Sequence, residues 1–189
     1  MDRTEKLIAD AFEQLLEEKP ISKITVREIT ERCCVNRNTF YYHFQDIPTL
    51  CGRLIKEKAD TIIQSNNQLE SLPDCIQLVI QYCTAYRQAI LHIYRSIQRE
   101  AFLDALDRLA LYAVRKFVNS ATAGLSIQES DQELLIHYYK CTLIGISLDW
   151  LNAGMSYDLL SATTRVCHLF SGSSKSAFLK CAEESTGQK

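Results

Sequence analysis

The sequence predicts an all-α chain of about nine helices, with a small N-terminal head followed by a longer helical body. Three observations carry this prediction. Apolar residues recur at spacings of three and four along most of the chain, and helix-start signatures punctuate it. Only three prolines and six glycines are spread over 189 residues, far too few turn formers for a sandwich or barrel. Hydrophobic residues make up 47% and charged residues 23%, enough to bury a core and to exclude gross disorder.

The first predicted helix places Leu7, Ile8, Ala11, Phe12, Leu15 and Leu16 on one face and ends at Lys19-Pro20, because a residue before proline avoids the helical region. Thr25-Val26-Arg27-Glu28 is a capping box, in which the threonine hydroxyl and the glutamate carboxylate each accept from the other residue's amide. It opens a second helix with Val26, Ile29 and Cys33 on one face, ending near Cys34. Asn36 is the N-cap of a third, short helix with Phe40 and Phe44 one turn apart on its inner side. Asp46-Ile47-Pro48 starts a fourth, running through Leu50, Leu54 and Ile55 toward Ile62.

Polar sequence at Gln64–Gln68 and Ser71–Pro73 predicts a hinge, and with it a head over 1–63 and a body over 64–189. Body helices are expected near 73–95 with a break at Arg87, then over 98–121, 131–153 and 157–170. Gly124 and Gly154 read as stops, and Ser130-Asp131-Gln132-Glu133 reads as another capping box. The last fifteen or so residues are polar and are expected to fray.

Charge gives no simple answer. The net charge is −2, and through residue 64 ten Lys/Arg face eleven Asp/Glu. Any case for nucleic acid therefore rests on where charges and caps sit. The eight cysteines show no CxxC pair and read as reduced thiols filling small apolar positions; the Cys33-Cys34 pair, with Cys51 and His43 nearby, lacks zinc-ligand spacing. No metal or cofactor is expected. The N-terminus does not read as a signal peptide and no apolar run is long enough to span a bilayer, so a soluble, cytoplasmic protein without membrane association is expected.

Two short helices joined by a tight turn, behind a long supporting helix, form a helix-turn-helix. Such a unit needs one helix across the phosphates, a second entering the major groove, and a core that fixes their angle. Thr25, Val26 and Arg27 at the start of the second helix suit a phosphate. Asn36, Arg37, Asn38, Thr39 and Tyr42 lie on the exposed side of the third: arginine suits guanine, asparagine suits adenine, and a threonine methyl or tyrosine ring suits thymine. Tyr41 and His43 suit phosphates at the groove edge.

The run Ile24-Thr25-Val26-Arg27-Glu28-Ile29, followed by Cys34-Val35-Asn36 and Thr39-Phe40-Tyr41-Tyr42-His43-Phe44, resembles the TetR family of bacterial repressors over about the first 60 residues. The resemblance implies an all-α homodimer on double-stranded operator DNA, with an effector-binding body and a four-helix interface built from the last two helices. Two positions depart from the family pattern: Cys34 stands where glycine is usual, and Ile47 where a phosphate-binding lysine is frequent. In the body, Ile90–Ser96 and Tyr138–Met155 resemble the Firmicutes-type C-terminal domain of that family, a branch that includes regulators of dihydroxyacetone kinase operons, some working with a protein co-regulator.

Polar tips within apolar helices, at Tyr82, Tyr86, His92, Arg95, Tyr112, His137 and Tyr138, are the candidate effector contacts, set against ordinary core or interface roles. The helix over 131–153 is apolar nearly all round. Its Leu143, Ile144, Ile146, Leu148 and Leu151, with Val166, Leu169 and Phe170 of the next helix, are the candidate dimer interface, against a purely internal core helix. The expected function is a repressor released from its operator by a small-molecule inducer or a protein co-regulator. The alternatives are an activator, or a helical adaptor controlled by a partner protein without a ligand pocket. An enzyme is not expected, since no Ser/His/Asp arrangement, glycine-rich phosphate loop or HExxH motif is present.

Overall fold

The computed structural model describes residues 2–65, 72–170 and 172–187. Ten α-helices appear among them, with no strand: α1 Arg3–Glu18, α2 Val26–Arg32, α3 Arg37–His43, α4 Ile47–Ser65, α5 Leu72–Ala85, α6 Arg87–Tyr94, α7 Arg99–Ala121, α8 Glu129–Asn152, α9 Leu159–Leu169 and α10 Ser173–Gly187. A 3-10 turn, Ile21–Lys23, follows α1. The all-α expectation holds, with one helix more than expected. No helix among the described residues is long and apolar enough to cross a membrane. The expected hinge falls mostly on residues 66–71, outside the described residues; Gln64 and Ser65 belong to α4 and Leu72 opens α5.

The chain divides into two compact units. The first joins residues 1–62 to 82–106. Its core is Ile8, Phe12, Leu15 and Leu16 of α1 against Ile24, Ile29, Phe40, Phe44, Leu50 and Cys51, with Leu91 and Ile93 of α6 also buried. Leu7, expected on the inner face of α1, is instead exposed, while Ala9 is buried; the inward stripe is turned by about one residue. The unit extends beyond the expected head because α6 packs on α1. The break at Tyr86 leaves the α6 N-terminus without a side-chain cap of its own, and Glu17 of α1 supplies one, accepting from the Ala89 amide at 3.2 Å. His92 Nδ1 lies 2.7 Å from the Leu16 carbonyl oxygen, a second tie between the same two helices.

The second unit comprises residues 63–81 and 107–189. Val114 and Val118 of α7, Ile136 of α8 and Phe178 of α10 form its core, with Phe117, Tyr139 and Leu143 packed against them. Phe117, Tyr139 and Phe178 make a triangle of rings 5.6–6.3 Å apart. The frayed C-terminus expected from composition is therefore corrected to a docked helix. One aromatic side chain anchors a segment whose other residues are mostly polar or small. The capping box expected at Ser130–Glu133 is corrected as well: α8 begins at Glu129, two residues before the expected start at Asp131, and Gln128 provides no side-chain cap. Glu133 turns away to Arg115, which donates two hydrogen bonds of 2.8 and 3.0 Å to it. Gly124 and Gly154 do sit at helix ends with φ of +83° and +68°.

Candidate DNA-binding interface

Local sequence sets the start of every helix in the reading head. The Thr25 hydroxyl accepts from the Glu28 amide at 3.3 Å while Glu28 accepts from the Thr25 amide at 3.0 Å, the reciprocal pair that α2 requires. Lys19 also holds Glu28, and hydrogen bonds from Lys19 and then Thr25 draw the Glu28 carboxyl down to about 2. At the other end of α2 the Val35 amide reaches the Thr30 carbonyl (3.0 Å) and the Cys34 amide the Glu31 carbonyl (3.4 Å), a Schellman closure. Cys34 is the residue this closure forces into the left-handed region, at φ +54°. The chain then turns straight into α3.

Asn36 caps α3 by accepting from the Thr39 amide at 2.8 Å and the Thr39 hydroxyl at 3.1 Å. Phe40 and Phe44 are fully buried, with ring centroids 5.9 Å apart. The solvent side presents Arg37, Asn38, Tyr41 and Tyr42, all exposed, with Tyr42 at 85%. Helical spacing gathers these four on one side of α3. Arg37 has no acidic partner among the described residues, whereas Arg27 is bound to Glu31 (2.6 Å), Arg32 to Glu18 (2.6 Å), Arg53 to Glu5 (2.9 Å) and Lys58 to Glu13 (2.8 Å). Much of the head's basic charge is thus already neutralised, and Arg37 is a cation held outward on the reading helix.

Thr25 and Arg27 stand exposed at the start of α2, with Val26 half-buried beside them, and Thr39 is half-buried under Asn36. His43 is placed differently from the outward orientation expected. Its side chain is 11% exposed, with Nδ1 3.6 Å from Asp2 and 3.7 Å from Glu5. Arg53 binds the same Glu5 and lies 5.0 Å over the Phe44 ring, drawing that carboxyl below the usual range. Asp2, Glu5, His43 and Arg53 together brace the end of α3 against α1 and α4. Spacing along the sequence did not announce this group, because its members run from residue 2 to residue 53, with Glu5 and Arg53 alone 48 residues apart.

The seven candidate effector contacts do not share one unit. In the first, Tyr82 and Tyr86 stack at 4.8 Å with Lys58 over both rings at 5.9 and 5.6 Å. The Tyr82 hydroxyl reaches Glu13 at 3.4 Å, and burial pushes its acidity down. His92 binds α1 as above, and Arg95 is exposed at the end of α6. In the second unit Tyr112 is half-buried while His137 and Tyr138 are exposed on α8.

Among the candidate dimer contacts, Val166, Leu169 and Phe170 are exposed and Leu143, Ile144, Ile146 and Leu148 half-buried. Leu151 is corrected to a core residue: at 3% exposure within one chain it has no surface left to bring to a partner. Leu134, one of the residues that make this helix apolar nearly all round, and Tyr138, a candidate effector contact, are 66% and 61% exposed on the same helix.

Residues 8–50 match the model of bacterial regulatory proteins of the tetR family, and residues 70–172, more than half the chain, match that of a TetR-type transcriptional regulator C-terminal region. No curated protein matches the sequence. Among solved structures, the dihydroxyacetone kinase operon activator DhaS superposes with a TM-score of 0.75 at 17% identity, over 89% of this chain and 94% of its own. The fatty acid degradation regulator FadR from Bacillus halodurans gives 0.63 at 19% identity, over 91% and 96%. FadR from Bacillus subtilis in complex with stearoyl-CoA gives 0.62 at 15% identity, over 88% and 97%. At these identities the structural likeness speaks for the fold, and the family matches speak for descent. The chain belongs to the TetR family of DNA-binding transcriptional regulators, and its role is regulatory, not enzymatic.

Proposed function

We propose that the chain is a homodimeric, cytoplasmic repressor that reads a near-palindromic operator through α3. The observation that carries this reading is the outward face Arg37–Asn38–Tyr41–Tyr42 standing on a core that fixes the angle between α2 and α3. Arg37 pairs with a guanine edge and Tyr42 packs on a thymine methyl. Asn38 takes the adenine contact. Asn36 is the less suitable of the two asparagines, because its carbonyl oxygen is committed to the α3 cap and a bidentate pair needs both ends of the amide. Thr25, Val26 and Arg27 lie along the phosphates, and Tyr41 joins them at the groove edge. His43 serves by positioning: its ring faces the Asp2–Glu5 pair and holds the end of the reading helix.

The exposed apolar residues of α8 and α9 support the dimer, since a lone chain would leave Leu134, Tyr138, Leu169 and Phe170 in water. A two-fold dimer sets its reading helices about 34–36 Å apart on successive major grooves. Release follows when a small-molecule or protein effector favours another spacing, by no more than its difference in affinity for the two states. The stearoyl-CoA held by the Bacillus subtilis regulator supports a small-molecule effector. A second reading, transcriptional activation, is favoured by the likeness to DhaS, an operon activator.

Selection of bound sites from random duplex DNA tests the reading head. A near-palindrome should emerge and be lost with Arg37→Ala and Tyr42→Ala. No enriched sequence at low or moderate salt would overturn the proposal and favour a helical adaptor. A reporter carrying the selected site upstream or within a promoter then separates repression from activation.

A further inference from the structure

On the outward side of α8, Leu134, Tyr138, Cys141, Gly145 and Leu148 follow one another at spacings of four, three, four and three. The first four are exposed and the last half-buried. This is the spacing of a seam that keeps one line of residues toward a second helix. One turn before Cys141, on the same side, stands His137, also exposed, with its Nε2 3.6 Å from the Cys141 Sγ.

That separation has a chemical meaning. Zinc binds imidazole nitrogen at about 2.0–2.1 Å and thiolate sulfur at about 2.3 Å in tetrahedral sites. Two such ligands on one ion, a tetrahedral angle apart, stand about 3.5 Å from each other. His137 and Cys141 therefore already hold the spacing of two adjacent ligands, and a pair four residues apart on one helical face is a recurrent way to present them. Without an ion the same distance serves a weak thiol–imidazole hydrogen bond. Two ligands make half of a closed site.

We infer that His137 and Cys141 of two copies of this chain together form an intersubunit zinc-type site at the dimer seam. The inference rests on the homodimer proposed above. In an antiparallel crossing of two α8 helices centred midway between His137 and Cys141, His137 of each copy faces Cys141 of the partner subunit, so that all four ligands can reach one ion on the two-fold axis. As the ion binds, each thiol releases its proton to solvent and each imidazole ligates in its neutral form. Two thiolates then balance the dication, and the completed site is neutral. A neutral site suits a seam lined by Leu134 and Tyr138, where a net charge taken out of water would be costly. Spacing within the sequence cannot reveal such a site, because each chain carries only half of the ligands.

The test uses the full chain, stripped with a chelator and kept under a phosphine reductant. Sedimentation velocity establishes its oligomeric state, and zinc chloride alone is then titrated by calorimetry, with cobalt(II) as the optical probe. One ion per dimer is expected, with visible bands of tetrahedral cobalt and a near-ultraviolet thiolate-to-cobalt band. Cys141→Ser and His137→Gln should each abolish the bands and leave helical content and the dimer intact. Zinc should lower the concentration at which the wild-type dimer dissociates by at least about tenfold, and should not do so in either variant. A dimer that binds no zinc overturns the site and leaves the dimer standing, as does zinc binding unchanged in both variants. A chain that stays monomeric with and without zinc overturns the dimer reading as well.

Discussion

Cys34→Gly should stabilise the reading head. Cys34 occupies the left-handed position after α2 at φ +54°, fixed there by the amide bonds from Cys34 to Glu31 and from Val35 to Thr30. A side chain in that region costs roughly 1–2 kcal/mol, because its Cβ crowds the following carbonyl. Glycine removes this cost but adds freedom to the unfolded chain, worth about 0.4–1 kcal/mol against folding. The lost thiol matters little: it is exposed, and its sulfur comes no nearer than 3.9 Å to the Glu31 carbonyl. The balance is a gain of about 0.5–1 kcal/mol. For a chain of this size that raises the melting temperature by about 1–4 °C. Cys34→Asn, which tolerates the same region, should gain a comparable amount, whereas β-branched Cys34→Val should lose stability. Urea and thermal unfolding followed by circular dichroism at fixed protein concentration give the order. Valine equal to cysteine, or glycine no better, would falsify the claim that this turn is strained. Operator affinity should be unchanged or tighter in the glycine variant, because the closure that aims α3 is retained.

Other changes probe separate links. Phe178→Ala removes the ring that docks α10 onto Val114, Val118 and Ile136 and should cost about 3–5 kcal/mol; a loss below 1 kcal/mol would mean the helix is not held there. Glu28 is drawn down to about 2, below the ordinary glutamate value of 4.5. Its contribution is therefore complete above the unfolded value and is lost as pH falls toward 2. The urea midpoint of the wild type should fall more steeply between about pH 5 and pH 2 than that of Glu28→Gln, and parallel slopes would count against the Lys19–Glu28–Thr25 cap. Leu134→Glu puts a carboxylate into the apolar side of α8 proposed to face the partner and should shift sedimentation toward monomer, leaving the helical signal intact. Arg37→Ala should cost about 1–3 kcal/mol on the selected operator and relax the preference at one base pair, a pattern that uniform weakening on all DNA would contradict.

The sequence by itself determined the helices of the head and their ends. The caps at Thr25, Asn36 and Asp46 each bond an amide three residues away, so the residues that decide them lie within one turn. The burial of Phe40 and Phe44 is equally local, following from their place one turn apart on the side away from Asn38 and Tyr42. Tertiary structure decided the rest. Composition alone marks the C-terminal segment as polar, and its docking depends on a slot that Phe117 and Tyr139 form from two other helices. Glu133 had two partners open to it, its own helix end and Arg115, and the guanidinium on the preceding helix α7 is the one it meets. Glu17 caps a helix that begins 70 residues later, and His43 turns inward because Asp2, Glu5 and Arg53 converge on it. Helix α8, apolar on nearly every side, carries no pattern that says which side faces inward. Only packing against α7 and α10 buries Ile136, while Leu134, Tyr138 and Cys141 are left facing out. Bonds that close within four residues are written in the order of the chain. Contacts between helices are chosen by shape and charge across the fold, and the sequence order does not display them.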